Sequence, residues 1–167
     1  MADEPDGPFL SVPATKPLDN VVLIAVDGSD SSFYSFKWYM QNIHQPFHNI
    51  VILHCPEIRS VMKIPLRAPD SDSVRSALEE HDLEMTNLVD RIKDNLRHAK
   101  VNARLITQSG NPGHTIVEIA NENKAILIVT GSRGVSRIRR TLIGSVSDFV
   151  LHHAHCPVLI CPKENAT

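Results

Sequence analysis

Residues 125–147 read A-I-L-I-V-T-G-S-R-G-V-S-R-I-R-R-T-L-I-G-S-V-S. Ala125 to Val129 has the length and β-branched content of a strand buried on both faces. Gly131 and Gly134 follow, and after nine further residues come Gly144 and Ser145. Glycine permits positive φ or a close approach of backbone to a ligand, both of which a Cβ resists. Ser145 suits a helix N-cap, and Asp148 three residues on completes a capping-box pattern. The unpaired N–H groups of such a helix start, joined to those of a glycine turn, suit a phosphate group. Arg133, Arg137, Arg139 and Arg140 fill the loop between, either as a solvated face or as an attraction for phosphate. This order of strand, glycine turn and capped helix is what an open parallel sheet uses to hold a ligand beyond its strand ends. The stretch therefore reads as a phosphate cradle, with plain turn glycines as the alternative. Neither G-x-x-x-x-G-K-[ST] nor G-x-G-x-x-G occurs in the chain.

Outward from this stretch, the pattern alternates. Asn20–Val26 and Asn49–Cys55 are continuous apolar runs of the kind found in strands covered on both sides. Asp27-Gly28-Ser29 makes a turn, and Ser29 or Ser31 can cap a helix over 31–44 that places Phe33, Phe36, Met40 and Ile43 on one side. Residues 56–69, with three prolines, predict a loop. Residues 72–99 carry a long one-sided apolar face that includes Leu88, Ile92 and Leu96. Val101–Gln108 alternates as an edge strand does. Asn111-Pro112 supplies an N-cap followed by proline at the first helical position. The last helix is expected over about 145–155, and Val158–Cys161 is a final strand. Strands and helices in alternation predict an α/β fold, a mainly parallel sheet with helices on both faces.

The 167 residues suit one domain. With 42% apolar and 22% charged residues, the composition is that of an ordinary soluble protein. A net charge of −2 argues against a general nucleic-acid binder, and no apolar run is long enough to span a membrane. The proline-rich start has no secretory signal core and reads as a flexible tail. Cys55, Cys156 and Cys161 are odd in number and form no C-x-x-C, which fits free thiols in a reducing compartment, hence the cytoplasm.

The spacing G-x2-G-x9-G-[ST], carried by Gly131, Gly134, Gly144 and Ser145, resembles the ATP-binding signature of the universal stress protein family. V-V-L-I-A-V-D-G-S, L-H-C, G-N-P, I-L-I-V-T-G-S-R-G and H-C-P-V-L-I are similar to that family's motifs as well. The resemblance covers Asn20 to Pro162. It implies a Rossmann-like, five-stranded parallel sheet of order 3-2-1-4-5, with a domain over 20–163 and short tails at 1–19 and 164–167. It also implies ATP bound across the ends of strands 1 and 4, and homodimers joined through Val158, Leu159 and Ile160 of the last strand. Matched by position, Ala25 and Val26 line the adenine side, Asp27 lies by the nucleotide, and Cys55 contacts the base. Thr130, Gly131, Arg133, Gly134, Gly144, Ser145, Val146 and Ser147 surround the ribose and phosphates. Larger apolar residues are usual in the family at positions 55 and 130, which implies a looser or more polar base pocket here.

Asp27 reads either as a magnesium or ribose ligand or as an acid in an Asp-Gly turn. His152, His153 and His155 look like a metal cluster, but neighbouring helical side chains diverge, and histidines also suit a helix C-terminus. No G-x-S-x-G or H-E-x-x-H is present, so an enzyme of the serine-hydrolase or zincin kind is not indicated. The favoured function is an ATP-binding regulatory or stress-response module. A slow ATPase or adenylate-handling enzyme of related architecture is the alternative.

Overall fold

A computed structural model describes residues 19–56, 71–132 and 143–162. Strand β1 (Val21–Ala25) leads to helix α1 (Asp30–Asn42) and strand β2 (Asn49–His54). Helix α2 (Ser71–Ala99) and strand β3 (Ala103–Thr107) follow, then α3 (Pro112–Glu122), β4 (Leu127–Gly131), α4 (Ser145–His153) and β5 (Val158–Cys161). The five strands form one sheet in the order β3-β2-β1-β4-β5. Every pairing is parallel, as in Val21↔Asn49, Ile24↔Val129 and Thr130↔Ile160.

Strand alternation divides the core. Val22, Ile24, Ile50, Ile52 and Val129 face Phe33, Phe36 and Tyr39 of α1 and Ile92 and Leu96 of α2. Val21, Leu23, Val51, Leu53 and Ile128 face Ile116, Ile119 and Ala120 of α3 and Val150 of α4. Two helices thus cover each face, and the central strands are apolar at consecutive positions because neither side meets water. Burying such side chains contributes about 1.5–3 kcal/mol each relative to exposure.

Two helix starts follow their sequence signals. Ser29 caps α1, its side chain accepting the Ser32 N–H at 3.2 Å. Asn111 caps α3 through the His114 N–H at 3.3 Å, with Pro112 in the first turn. Two expectations near the cradle are corrected. Strand β4 runs over 127–131 rather than 125–129, because Ala125 closes α3, its N–H bonding to the Ala120 carbonyl at 2.8 Å. The residue capping α4 is Gly144, not Ser145, and no capping box forms. Gly144 holds the extended backbone of an N-cap (φ −73°, ψ 156°), and the Asp148 N–H bonds to its carbonyl at 2.9 Å. Ser145 is therefore already the first helical residue.

Candidate functional site

The chain moves outward from β1 to β2 and β3, then returns to the other side of β1 for β4 and β5. At that reversal, the connections leaving β1 and β4 go to opposite faces of the sheet. Their carboxyl ends bound a crevice, the place where open α/β sheets hold ligands.

Beyond β1 the chain reaches the crevice through Val26, Asp27 and Gly28, with the Val26 side chain buried in the core among Phe33, Phe36 and Ile52. The Val26 N–H bonds to the Leu53 carbonyl at 2.9 Å, and its carbonyl accepts the Nδ1–H of His54 at 2.8 Å. His54 thereby aligns the end of β1 with the end of β2. Asp27 is exposed, and its Oδ1 accepts both the Ser29 N–H (3.0 Å) and the Ser29 hydroxyl (2.6 Å). Gly28 has φ +86°, a left-handed conformation that side chains with a Cβ seldom take. Cys55, half-buried beyond β2, directs its thiol to the Gly110 carbonyl at 3.7 Å.

From β4 come Thr130, Gly131 and Ser132, all buried. Gly131 is the last residue of the strand, paired with Cys161, rather than a turn residue. A Cβ built on it would lie 2.6 Å from the Ser31 Oγ and 3.0 Å from the Ser31 carbonyl carbon and oxygen. Glycine is required here so that the first turn of α1 can rest against β4. The Ser31 hydroxyl is itself buried without a hydrogen-bond partner among the described residues.

The start of α4 is tied to the same strand end. The Gly144 N–H bonds to the Ser132 carbonyl at 2.6 Å, the Ser132 N–H to the Cys161 carbonyl at 2.8 Å, and the Ser147 hydroxyl donates to the Gly131 carbonyl at 2.8 Å. Gly144 brings no side-chain cap, so the first-turn N–H groups of Ser145 and Val146 open a helix whose positive dipole end suits an anion. Arg133, Gly134, Arg137, Arg139 and Arg140 lie outside the described residues. Ala25, Val26, Asp27, Cys55, Thr130, Gly131, Gly144, Ser145, Val146 and Ser147 thus stand at the ends of β1, β2 and β4 and the start of α4.

The histidines at the end of α4 do not converge. The Nδ1 atoms of His152 and His153 turn back to the carbonyls of Asp148 and Phe149, each at 2.8 Å, and His153 stacks on the Phe149 ring.

Sequence reasoning missed His54, Ser132 and Arg91. Arg91 of α2 donates to the Gly28 carbonyl and to Asp30, contacts that span 63 and 61 residues. The L-H-C motif was a usable signal for His54. Nothing local marks Arg91.

The family profile described as "Universal stress protein family" matches residues 20–162. The chain belongs to the universal stress protein family. It is 31% identical over 147 residues to universal stress protein YxiE of Bacillus subtilis, spanning 84% of this chain and 97% of that relative. The solved structure of MJ0577, a universal stress protein of Methanocaldococcus jannaschii, superposes with a TM-score of 0.70 at 21% identity. That match covers 89% of this chain and 99% of MJ0577. A universal stress protein family member from Arabidopsis thaliana, solved with AMP bound, superposes with a TM-score of 0.62 at 19% identity, covering 87% and 93% of the two chains. At these identities the structures establish a shared universal stress protein fold.

Proposed function

We propose that this universal stress protein binds an adenine nucleotide, ATP above all, in the crevice between β1 and β4 and acts as a nucleotide-dependent regulatory or stress-response module. The observation that carries the reading is the start of α4, whose glycine N-cap brings no side-chain bond and is tied through Ser132 to the end of β4 at the point of chain reversal. Its N–H groups and dipole favour phosphate. The partly exposed Ala25 and Cys55 would offer the base an apolar and a weakly polar neighbour, with Val26 packed behind them in the core, and Asp27 would meet the ribose or a phosphate-bound magnesium ion. Arg133 and Gly134, which the family resemblance assigns to the phosphate side, lie outside the described residues. The AMP bound in the Arabidopsis relative adds support.

The folding unit on this reading spans 20–163, with tails at 1–19 and 164–167. A homodimer joined through Val158, Leu159 and Ile160 completes it, since β5 is an edge strand whose outer side pairs with no strand among the described residues. Three thiols outside any disulfide suit the cytoplasm, and no helix among the described residues is long and apolar enough to cross a membrane.

A thermal-shift titration tests the binding. At about 100 times the dissociation constant, ATP should stabilise the protein by about 2.7 kcal/mol. ATP with magnesium should act at lower concentration than AMP, and GTP should act more weakly. No shift with any adenine nucleotide at millimolar concentration refutes the reading. For the dimer, Ile160→Lys should give monomers in light scattering at tens of micromolar; a monomeric wild type refutes it.

A further inference from the structure

The Asp27-Gly28-Ser29 turn is held on its inner side by its own residues, through the two bonds from Ser29 to Asp27. Its outer side is held by a helix more than sixty residues away. Arg91 of α2 donates from Nη1 to the Gly28 carbonyl at 3.1 Å and from Nη2 to Asp30 Oδ1 at 2.8 Å. Its guanidinium lies over the Phe33 ring, 4.0 Å from the centroid. One turn earlier on the same helix, Leu88 lies beneath Gly28, its methyl 3.6 Å from where a Cβ would stand.

This arrangement uses what is particular to arginine. The planar fork reaches a carbonyl and a carboxylate together, and its face stacks on an aromatic ring. The restrained group is a glycine in a left-handed conformation, the residue type with most conformational freedom to lose. The peptide whose Gly28 carbonyl Arg91 holds carries at its other end the Ser29 N–H that bonds to Asp27 Oδ1, so fixing that peptide fixes where the Asp27 carboxylate points. The salt bridge to Asp30 is solvent-exposed and adds little stability by itself. Its geometric effect on the turn is larger than its energetic one.

We infer that Arg91 is a positioning residue for the nucleotide crevice, holding the Asp27 turn in its binding geometry before ligand arrives; this rests on the nucleotide reading above. Preorganisation of this kind raises affinity by reducing the ordering that ligand must otherwise impose. Because Asp27 on the β1 side of the crevice would meet the ribose, which ATP and AMP share, the effect should be similar for the two nucleotides.

The test is calorimetric titration of ATP and AMP into wild type, Arg91→Met, Arg91→Lys, Asp27→Ala and the Asp27→Ala/Arg91→Met double variant. Leu96→Val, a core change on the same helix, serves as a control for stability loss alone. Arg91→Met should weaken both nucleotides about fivefold to tenfold. Arg91→Lys should weaken them at least threefold, because one ammonium cannot reproduce the fork. Leu96→Val should leave affinity unchanged while lowering the melting temperature. In the Asp27→Ala background, Arg91→Met should have no further effect, since it acts through Asp27. Full additivity in that cycle overturns the inference, as does wild-type affinity in either folded Arg91 variant. If Arg91→Met fails to fold, Arg91→Lys decides by the same threefold criterion. A wild type that binds neither nucleotide overturns the nucleotide reading itself, and this inference falls with it.

Discussion

Gly131→Ala separates two roles that one glycine could serve. A ligand-facing glycine would tolerate a methyl group in the unliganded protein and lose only affinity. The structure instead puts the added Cβ 2.6 Å from the Ser31 Oγ and 3.0 Å from that residue's carbonyl carbon and oxygen. The hydroxyl can rotate away, but the carbonyl belongs to the first turn of α1 and moves only with the helix. Overpacking of this kind costs about 1–3 kcal/mol. For a chain of this size each kcal/mol is about 2–4 °C, so the melting temperature should fall by roughly 2–12 °C. Ser31→Ala should behave oppositely: it removes a buried hydroxyl that has no partner among the described residues and should be neutral or mildly stabilising. Combined, the two changes should recover part of the loss, because the 2.6 Å contact disappears while the 3.0 Å backbone contacts remain. Urea and thermal denaturation of the four proteins without nucleotide measure all of this. A Gly131→Ala protein as stable as wild type would refute the packing role.

Acid should destabilise the protein through the cluster below Tyr39. Burial and the neighbouring His48 hold His44 below its ordinary pKa of 6.5, so the unfolded chain takes up that proton first as pH falls. The contribution is fully present above about pH 6.5 and is lost as pH drops through the lowered folded value; His44→Gln should flatten the urea midpoint between pH 5 and 7.5, and an unchanged slope contradicts this. Tyr39→Phe should cost about 1–3 kcal/mol, since the fully buried phenol bonds to the His48 Nδ1 at 2.7 Å; a loss within experimental error contradicts that bond. In timed thiol labelling, Cys55 should react before Cys156 and Cys161, whose thiols burial pushes up, and saturating ATP should slow Cys55 alone. Equal Cys55 rates with and without ATP would place the nucleotide elsewhere.

The sheet was legible because its central strands are buried on both faces, so Val21–Ile24 and Ile50–Leu53 appear as unbroken apolar runs. Caps made by a side chain were legible too, as at Ser29 and Asn111. The α4 start was misread by one residue because its cap is a glycine, which leaves no side-chain signal, while the adjacent serine offers a false one. Strand β4 was placed two residues early because local pattern cannot register the bond by which Ala125 closes α3, nor the pairing of Thr130 and Gly131 with β5. The strand order came from the family motifs, not from periodicity. The roles of Gly131 and Arg91 could not be read at all. Each depends on a partner far along the chain, Ser31 in one case and Gly28 in the other.

A titration of the ¹⁵N-labelled protein with ATP and magnesium, followed amide by amide in NMR spectra, tests the central claim most directly. Binding at the chain reversal should shift the amides of Val26, Asp27, Cys55, Thr130, Gly131, Ser132 and Gly144 through Ser147 with one common dissociation constant. Asn20, His48 and Asn49, at the opposite ends of the strands, should remain still. Shifts gathered at that opposite edge, or none at millimolar ATP, would contradict a nucleotide site between β1 and β4.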